Sequence, residues 1–326
     1  MDEYVLVTGG AGYIGSHVNK LLNLKGYKTI VVDNLVNGRE GFVKWGKFIL
    51  GDIGDEALLG LIFKNYRVKA IMHFSAFADV GESVSEPIKY YINNVNNTLI
   101  LLKKAIESNV KYFIFSSTCA VYGNPLRIPI DEKHPTDPIN PYGRSKLIVE
   151  YALKDFELAY GLKYVSLRYF NAAGADPEGE LGEWHERETR LIPITLKVAL
   201  GKVEHLEIFG DDYNTPDGTC IRDYIHVSDL AKAHILALEY LFNGGNSDVF
   251  NLGIGRGFSV KEVIRAVEEV TGRKVRFVIG DRRPGDPPVL IADASKARKV
   301  LGWAPEFTDI KDIIKTAYLW ELRKGI

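Results

Sequence analysis

The fold is decided by the N-terminal stretch Tyr4-Val5-Leu6-Val7-Thr8-Gly9-Gly10-Ala11-Gly12-Tyr13-Ile14-Gly15. Its first five residues are apolar or β-branched, which is typical of a buried strand, and the glycines follow directly. Glycines in such a turn let backbone amides approach a pyrophosphate, and the N-terminus of a following helix favours its negative charge. The stretch therefore predicts a strand, a dinucleotide-binding turn and a helix that extends to about Lys25.

Asp33 strengthens this prediction, since a glycine cluster alone is a weak signal. It closes the second predicted strand, near the offset of about 20 residues at which an acid binds the adenosine ribose hydroxyls. A carboxylate there repels a 2′-phosphate, so the sequence favours NAD over NADP, although Arg39 leaves a minor use of NADP open. Asp52 and Ile53 suit a contact with the adenine edge, with a solvated turn as the alternative.

Short β-branched runs alternate with amphipathic stretches in the N-terminal half, which is the pattern of a parallel sheet. Strands are predicted at residues 4–8, 28–32, 48–50, 70–74, 112–116 and 164–167. Segments 87–108 and 142–159 are predicted to be crossover helices. Their apolar faces either pair across a two-fold axis, which predicts a homodimer, or cover the same sheet.

The composition changes at about Asn171 to glycine, proline and charge. Residues 176–190 are predicted to form a loop, and helices are predicted at 229–242, 260–271 and 310–323. The predicted fold class is α/β, with a doubly wound parallel sheet and a smaller second α/β domain. The first domain is expected at 1–170 and the second at 171–326, with part of about 219–250 returning to the first.

The composition also restricts the partners. The 326 residues carry a net charge of −1, which gives no reason to expect a nucleic-acid partner. No apolar run is long enough to span a bilayer. The two cysteines, Cys119 and Cys220, predict free thiols in a reducing compartment, the cytoplasm. The seven histidines show no metal-ligand spacing, so no metal is expected.

Tyr142 is followed four residues later by Lys146, and the run 116–123 upstream supplies the hydroxyls of Ser116 and Thr118. A phenol titrates near pH ~10, so a tyrosine acts as a base at neutral pH only if its phenolate is stabilised. Residues i and i+4 share a helix face, which predicts that the Lys146 ammonium lies beneath the Tyr142 ring and lowers its pKa. A lysine–tyrosine pair on an exposed helix face is the alternative.

Taken in order, these motifs resemble the extended short-chain dehydrogenase/reductase family, and within it most closely the UDP-glucose 4-epimerases. The resemblance covers nearly the whole chain and rests on Gly9-x-x-Gly12-x-x-Gly15, Asp33, the run 116–123, Tyr142-x-x-x-Lys146, Arg168-Tyr169-Phe170-Asn171, the run 218–227 and Arg283-Pro284-Gly285-Asp286. It implies a Rossmann-type domain that holds NAD and a C-terminal domain that holds a UDP-sugar.

The resemblance also implies a mechanism. Tyr142 removes the proton of the sugar 4-hydroxyl while C4 gives its hydride to NAD; the 4-keto sugar then turns over and takes the hydride back on its other face. Thr118, in place of the serine of many relatives, hydrogen-bonds O4, and Lys146 binds the nicotinamide ribose and keeps Tyr142 acidic.

The remaining implied contacts form two sets. The cofactor set comprises Gly9, Gly12, Tyr13, Ile14, Gly15, Asp33, Asn34, Asn37, Gly38, Asp52, Ile53, Phe74, Ser75, Ala76, Asn93, Ser116, Tyr142, Lys146 and Tyr169. The substrate set comprises Thr118, Tyr142, Phe170, Asn171, Arg190, Leu191, Phe209, Arg222, Arg283, Asp286 and Leu290. In the second set Arg222 and Arg283 are expected to bracket the diphosphate, because a guanidinium fork matches phosphate oxygens. Asp223 and Asp286 orient those arginines or bind a ribose.

Departures from the family narrow the prediction. Nucleotide-sugar 4,6-dehydratases carry an acid pair directly after the threonine, whereas this chain has Cys119 and Ala120, so dehydration is not expected. Ala78 replaces a lysine of many relatives, and Arg190 replaces an asparagine. Leu290 stands where the family limits room at the hexose 2-substituent, which predicts a preference for UDP-glucose and UDP-galactose over their N-acetyl forms.

Two other functions stay open at this point. One is an NAD-dependent epimerase or dehydrogenase on another nucleotide sugar, such as a UDP-N-acetylhexosamine, UDP-uronate or UDP-pentose. The other is a redox sensor or scaffold that binds NAD without turnover. The second is disfavoured because such relatives lack the tyrosine and lysine, and this chain keeps both.

Overall fold

A computed structural model describes residues 2–185, 188–283 and 286–324. A seven-stranded sheet has the strand order β10-β6-β5-β4-β1-β2-β3, and all its pairs are parallel. Its strands are β1 Glu3–Thr8, β2 Lys28–Asp33, β3 Lys47–Leu50, β4 Arg67–His73, β5 Tyr112–Ser116, β6 Lys163–Tyr169 and β10 Asp248–Leu252. The predicted parallel α/β architecture is confirmed, and the six predicted strands are present. Strand β5 has the predicted bounds, β4 begins and ends earlier than predicted, and the other four are slightly longer.

The central strand β1 shows why the sheet is buried on both faces. Successive side chains of a strand point to opposite faces. Val5 and Val7 pack in one apolar cluster, whereas Leu6 packs in another on the opposite face. All three side chains are nearly inaccessible to solvent. Helices must therefore cover both faces, which is the doubly wound arrangement.

The covering helices are α1 Tyr13–Leu24, α2 Glu56–Asn65, α3 Val80–Ser85, α4 Pro87–Tyr90, α5 Asn97–Glu107, α6 Pro141–Tyr160 and α8 Val227–Phe242. The prediction of one helix over 87–108 was wrong in detail, because a π-helical segment, Tyr91–Asn96, separates α4 from α5. A π turn accommodates one extra residue and is common at functional sites. Apolar periodicity does not reveal it. Helix α2 and strand β10 were not predicted.

A second group of elements follows the large sheet. Strands β7 Asn171–Ala173, β9 Ile221–His226, β11 Gly257–Ser259 and β13 Val289–Leu290 form a four-stranded sheet, and β8 Leu206–Phe209 pairs with β12 Phe277–Gly280. Helices α7 Leu191–Ala199, α9 Val260–Thr271, α10 Ser295–Leu301 and α11 Ile310–Arg323 accompany them. Helix α7 was not predicted, whereas α9 and α11 have the predicted bounds.

Two further expectations concern the same part of the chain. The predicted loop at 176–190 contains no helix or strand among its described residues, 176–185 and 188–190. Pro284 and Gly285, two residues of the quoted Arg283–Asp286 motif, lie outside the described residues. Within the described ranges, every helix is too short or too polar to cross a bilayer.

Candidate active site

The glycine turn between β1 and α1 is shaped by close backbone approaches. Gly9 has φ +74°, and a Cβ there would lie 2.6 Å from the Ser75 backbone nitrogen. A Cβ on Gly15 would lie 2.3 Å from the Gly9 carbonyl oxygen. Only glycine fits both places, so the turn stays open beside the first amides of α1. This geometry fits a pyrophosphate held by backbone amides at a helix N-terminus.

Asp33 lies at the carboxyl end of β2, directly against this turn. Its two carboxylate oxygens accept the Ala11 and Leu35 amides at 3.0 and 2.9 Å. Burial raises the pKa of Asp33, and these two hydrogen bonds oppose the shift. Each oxygen has a further lone pair for a ribose hydroxyl. The carboxylate is thus fixed by the backbone beside the glycine turn, and its ribose contact stays a prediction.

A cleft runs along the carboxyl edge of the large sheet from this point. It is lined by Gly9, Gly12, Asp33, Asn34, Val36, Asn37, Gly38, Gly51, Asp52, Ile53, Phe74, Ser75, Ala76, Phe77 and Asn93. Twelve of these residues belong to the predicted cofactor set, and three, Val36, Gly51 and Phe77, were missed. The three flank predicted residues along the chain, so no separate signal marked them.

The π-helical segment positions one wall of the cleft. The Asn94 side-chain oxygen accepts the Phe77 amide at 2.9 Å, and its nitrogen donates to the Phe77 carbonyl at 3.0 Å and to Ser145 Oγ at 3.1 Å. Asn93 also donates to the Asn94 oxygen, at 2.9 Å. Asn94 therefore joins the loop after β4 to helix α6. The sequence carries no signal for this contact, which depends on residues distant along the chain.

Tyr142 is the second residue of α6, and the start of that helix is defined locally. Asn140 caps it by accepting the Gly143 amide at 2.8 Å, and Pro141 occupies the first position. A Cβ at Gly143 would lie 2.6 Å from the Ala120 carbonyl oxygen, so the glycine permits the Thr118–Ala120 segment to approach the helix. An asparagine cap followed by proline is a sequence signal for a helix start.

The environment of Tyr142 sets its ionisation. The side chain is 9% exposed, and burial raises its pKa to about 12. A hydrogen bond with the Thr118 side chain and the positive charge of Arg190 both oppose this shift. The Thr118 hydroxyl also accepts the Ala120 amide at 3.1 Å. Thr118 thus caps a short 3₁₀ turn and contacts the phenol at the same time.

Lys146 lies one helical turn further on, at the predicted spacing. Its Nζ donates to the Ser116 carbonyl at 2.8 Å and lies 5.0 Å from the centre of the Phe115 ring. Burial lowers the pKa of Lys146 to about 7, and the charge of Glu150 opposes that shift. In this structure Thr118 and Arg190 hold the pKa of Tyr142 down, and the effect of Lys146 on that pKa stays a prediction.

Ser116 and Tyr169 complete this side of the site. Their hydroxyl groups are hydrogen-bonded to each other at the carboxyl ends of the adjacent strands β5 and β6. Burial raises the pKa of Tyr169 well above its ordinary value. Its phenol is therefore neutral and does not compete with Tyr142 as a base. Tyr13, another predicted cofactor residue, donates from its hydroxyl to the Gly174 carbonyl at 2.6 Å.

An apolar pocket wall lies beyond Thr118. Phe170, next after β6, packs with Cys119, Leu147 and Ala292, and Leu290 packs against this group. Burial raises the pKa of Cys119 to about 12, so its thiol is neutral. The structure thus places Leu290 and Phe170 in one cluster with the residue that follows Thr118. Asn171 lies one residue further along the same strand region and pairs with Tyr224 of β9.

The predicted diphosphate arginines lie on separate segments. Arg222 of β9 donates to Asp286 at 3.0 Å and to the Ile221 carbonyl at 2.9 Å. The Arg283 guanidinium lies 3.7 Å from the centre of the Phe209 ring, at the end of β8. Leu290 stands opposite Arg222 in the β13–β9 pair. Arg222, Asp286 and Leu290 are therefore brought together, and the Asp286 amide donates to the Arg283 carbonyl at 3.3 Å.

One acid, Asp223, behaves differently from the expectation. Asp223 pairs with neither arginine of the substrate set; its carboxylate accepts the Ile254, Gly255 and Ala292 amides, at 2.9, 3.0 and 3.1 Å. Burial raises its pKa to about 6. It therefore holds backbone segments together instead of orienting Arg222 or Arg283.

Arg190 immediately precedes α7, whose first residue is Leu191. Its guanidinium is hydrogen-bonded to Glu183 and His185, which gives the added positive charge a buried partner.

In the part of the chain that the structure describes, one cluster of acidic residues has metal-ligand spacing, Asp176, Glu178 and Glu180. The Lys20 ammonium contacts all three, at 3.0, 2.5 and 2.7 Å.

Comparison with known proteins identifies the class of this protein. The model of the NAD dependent epimerase/dehydratase family matches residues 5–253. The chain is 52% identical over 324 residues to the UDP-glucose 4-epimerase of Rhizobium meliloti, covering 99% of this chain and 98% of that protein. The chain belongs to the NAD dependent epimerase/dehydratase family.

Solved structures give the particular relatives. The UDP-glucose 4-epimerase of Brucella ovis in complex with NAD is 50% identical with a TM-score of 0.95, covering 98% of both chains. The UDP-glucose 4-epimerase of Bifidobacterium longum in complex with NAD⁺ and UDP is 44% identical with a TM-score of 0.94, again covering 98% of both. The predicted resemblance to UDP-glucose 4-epimerases, the fold class and the NAD cofactor are confirmed.

Proposed function

We propose that this protein is a UDP-glucose 4-epimerase that interconverts UDP-galactose and UDP-glucose through a 4-keto sugar, with Tyr142 as the base and acid. One observation carries the proposal. Tyr142, hydrogen-bonded to Thr118, lies one helical turn from Lys146, and Asn94 joins their helix to Phe77, which lines the cleft beside the glycine turn. The relatives that match nearly the full length carry the same name.

The chain supplies the proton transfer. NAD, when bound, accepts the C4 hydride and returns it. Tyr142 takes the proton of the 4-hydroxyl and later gives it back, while the Thr118 hydroxyl bonds the same oxygen. Because burial raises the pKa of Tyr142 to about 12, little of the side chain is phenolate at neutral pH before ligands bind. The positive end of α6 and the charges of Lys146 and Arg190 favour its phenolate.

The sugar nucleotide is proposed to bind between the four-stranded sheet and the segment after β12. Arg222 and Arg283 are the cations for the diphosphate, and Asn171 is a further phosphate contact. Phe209, already covered on one face by Arg283 at 3.7 Å, is the aromatic contact for uracil. Leu290 and Phe170 form the wall beside the hexose. Leu191, the first residue of α7, contacts the nucleotide next to Arg190.

The test is to incubate the purified protein with UDP-galactose without added NAD and to identify the sugar nucleotides. UDP-glucose without accumulating NADH is the expected result, since hydride leaves and returns at one site. NADH that builds up only when NAD is supplied would indicate a net dehydrogenase. Turnover of UDP-N-acetylhexosamines, a UDP-uronate or a UDP-pentose, with UDP-galactose inert, would move the proposal to that substrate.

We also propose a homodimer through the helices of 87–108 and 142–159. Large apolar side chains are exposed on both, including Ile88 at 73%, Ile92 at 55% and Tyr151 at 56%. A surface of this kind supports association with a second copy. Light scattering should give twice the chain mass. Ile88→Glu together with Ile92→Glu should give the monomer, and a wild-type protein that is already monomeric would contradict the dimer.

The division into domains is proposed on the same footing. A nucleotide-binding domain at 1–170 would be completed by β10, whose residues Asp248–Leu252 pair with β6 of the large sheet. The remainder of 171–326 would form the UDP-sugar domain. Cys119 and Cys220 are buried free thiols, which supports the proposed cytoplasmic location.

A further inference from the structure

A buried ion pair lies behind the proposed proton-transfer residues. Glu150 of α6 and Arg168 of β6 are each 6% exposed. Arg168 Nε donates to both Glu150 oxygens, at 2.9 and 3.2 Å, and a second guanidinium nitrogen also contacts the carboxylate. This fork geometry is the strong form of a charged hydrogen bond. Burying two charges costs desolvation free energy, so a buried ion pair is weak evidence that its role is to stabilise the fold.

Further hydrogen bonds extend from this ion pair on two sides. Ser117 donates to Glu150 at 2.5 Å, which fixes the residue between Ser116 and Thr118. On the other side Arg168 donates to the Tyr122 hydroxyl at 3.0 Å, and Tyr122 donates to Asn251 at 2.7 Å. The network therefore ties the Thr118 segment to β6, α6 and β10.

Glu150 is also the acid whose charge acts on Lys146. The two residues are four apart on α6 and share a helix face. Among the residues that the structure describes, the other groups that face Lys146 carry no negative charge. His73 of β4 is neutral because burial lowers its pKa to about 3, Phe115 of β5 is a ring, and the Tyr142 and Tyr169 phenols are protonated. Burial lowers the pKa of Lys146 to about 7, and Glu150 is the group that opposes it.

We propose that Glu150 and Arg168 are positioning residues for the epimerase reaction, holding the Ser116–Thr118 segment in place and supplying the negative charge that keeps Lys146 protonated beside Tyr142. The inference rests on the proposed function. Arg168 acts through Glu150, since it clamps the carboxylate in one orientation. Both residues act through other side chains, since Glu150 accepts from Ser117 and Arg168 donates to Tyr122.

The test is the pH dependence of kcat for Glu150→Gln. Activity needs Tyr142 deprotonated and Lys146 protonated, so kcat falls on the alkaline side as Lys146 loses its proton. Removing the carboxylate favours the neutral lysine, so the alkaline limb should move down by about one pH unit, about a tenfold loss of kcat on that limb. A substitution that only loosens the fold would lower kcat equally at every pH.

Two further variants guard against loss of folding and against general effects of charge. Glu150→Gln with Arg168→Met removes both buried charges together, so no unpaired ion is left. Its alkaline limb should also move down, by less than in the single variant. Glu157→Gln, on the same helix but paired with Lys163 nearer the surface, should leave the profile unchanged.

Lysine NMR gives a readout that does not depend on turnover. The Lys146 side-chain signal, assigned by its loss in Lys146→Arg, should titrate at a lower pH in Glu150→Gln than in the wild type. An unchanged alkaline limb and an unchanged Lys146 titration in a folded variant would overturn the inference. If the wild-type protein does not convert UDP-galactose, the proposed function fails instead, and the NMR titration alone still decides whether Glu150 sets the charge of Lys146.

Discussion

The two halves of the site are built by different means. The cleft beside β1 is shaped by the backbone: Gly9 and Gly15 leave no room for a Cβ, and Asp33 is held by two amides. The half near β9 is shaped by side chains that engage one another, with Arg222 on Asp286 and Arg283 over Phe209. A site made from backbone geometry is rigid before it meets a ligand. A site made from paired charges must exchange partners when a diphosphate arrives.

Tyr142 stands at the boundary of the two halves, and its substitution should have the largest effect. Tyr142→Phe removes the hydroxyl that moves the proton but keeps the ring in its buried place. The rate of UDP-galactose conversion should fall by ~10²–10⁴, the usual contribution of general acid–base catalysis, while NAD remains bound. Tyr160→Phe, at the exposed end of the same helix, is the matched control and should be neutral. Substantial activity in Tyr142→Phe would remove the proposed mechanism.

One added methyl group should disrupt the glycine turn in the half of the site that the backbone shapes. Gly15→Ala places a Cβ 2.3 Å from the Gly9 carbonyl oxygen, which the turn can relieve only by moving. We expect a loss of about 1–3 kcal/mol in the free energy of unfolding and loss of NAD during gel filtration. The measurements are thermal unfolding and the nucleotide content of the purified protein.

Gly60→Ala is the matched control for that variant, because Gly60 also lies within a helix, α2, but has no atom within 4 Å of an added Cβ. Alanine is the better helix former, so this variant should gain about 0.5–1 kcal/mol and keep its NAD. Equal stability and equal NAD content in the two variants would show that the turn is not as tightly fixed as its geometry indicates.

A substitution in the half of the site near β9 should weaken UDP-sugar binding and leave NAD binding unchanged. Arg222→Met removes a charged fork from the proposed diphosphate site. A hydrogen bond to a charged group contributes about 1.5–3 kcal/mol, so KM for UDP-galactose should rise roughly 10- to 100-fold. NAD content should not change. Arg282→Met, which removes a guanidinium paired with the exposed Asp212, is the control and should leave KM as it was. A fall in kcat with constant KM would place Arg222 in the chemistry instead.

The contrast between local backbone features and contacts of distant side chains also explains which features could be predicted from the sequence. Local patterns predicted the six strands from β1 to β6, the glycine turn and the position of Tyr142 on a helix, because each depends on neighbours along the chain. Strand β10 was missed, since a late strand that returns to the first sheet carries no mark of its partner. The π-helical segment within 87–108 was missed because an extra residue hardly disturbs apolar periodicity. The Arg168 partner of Glu150 required the tertiary fold, whereas Asp286 was already among the predicted partners of the diphosphate arginines.

The smallest expected effect is that of Leu290 on the choice between two sugar nucleotides. Leu290 packs against the cluster of Cys119 and Phe170, so shortening it opens space at that wall without touching Tyr142 or Asp33. Leu290→Ala should raise kcat/KM for UDP-N-acetylglucosamine relative to UDP-glucose by about tenfold, within the 10- to 200-fold range that a few methylene groups contribute in an apolar pocket. Competition assays with both sugars measure the ratio directly. Leu126→Ala, at a side chain that is 79% exposed, should leave the ratio unchanged. An unaltered ratio in Leu290→Ala would mean that the wall beside the hexose 2-substituent is formed by other residues.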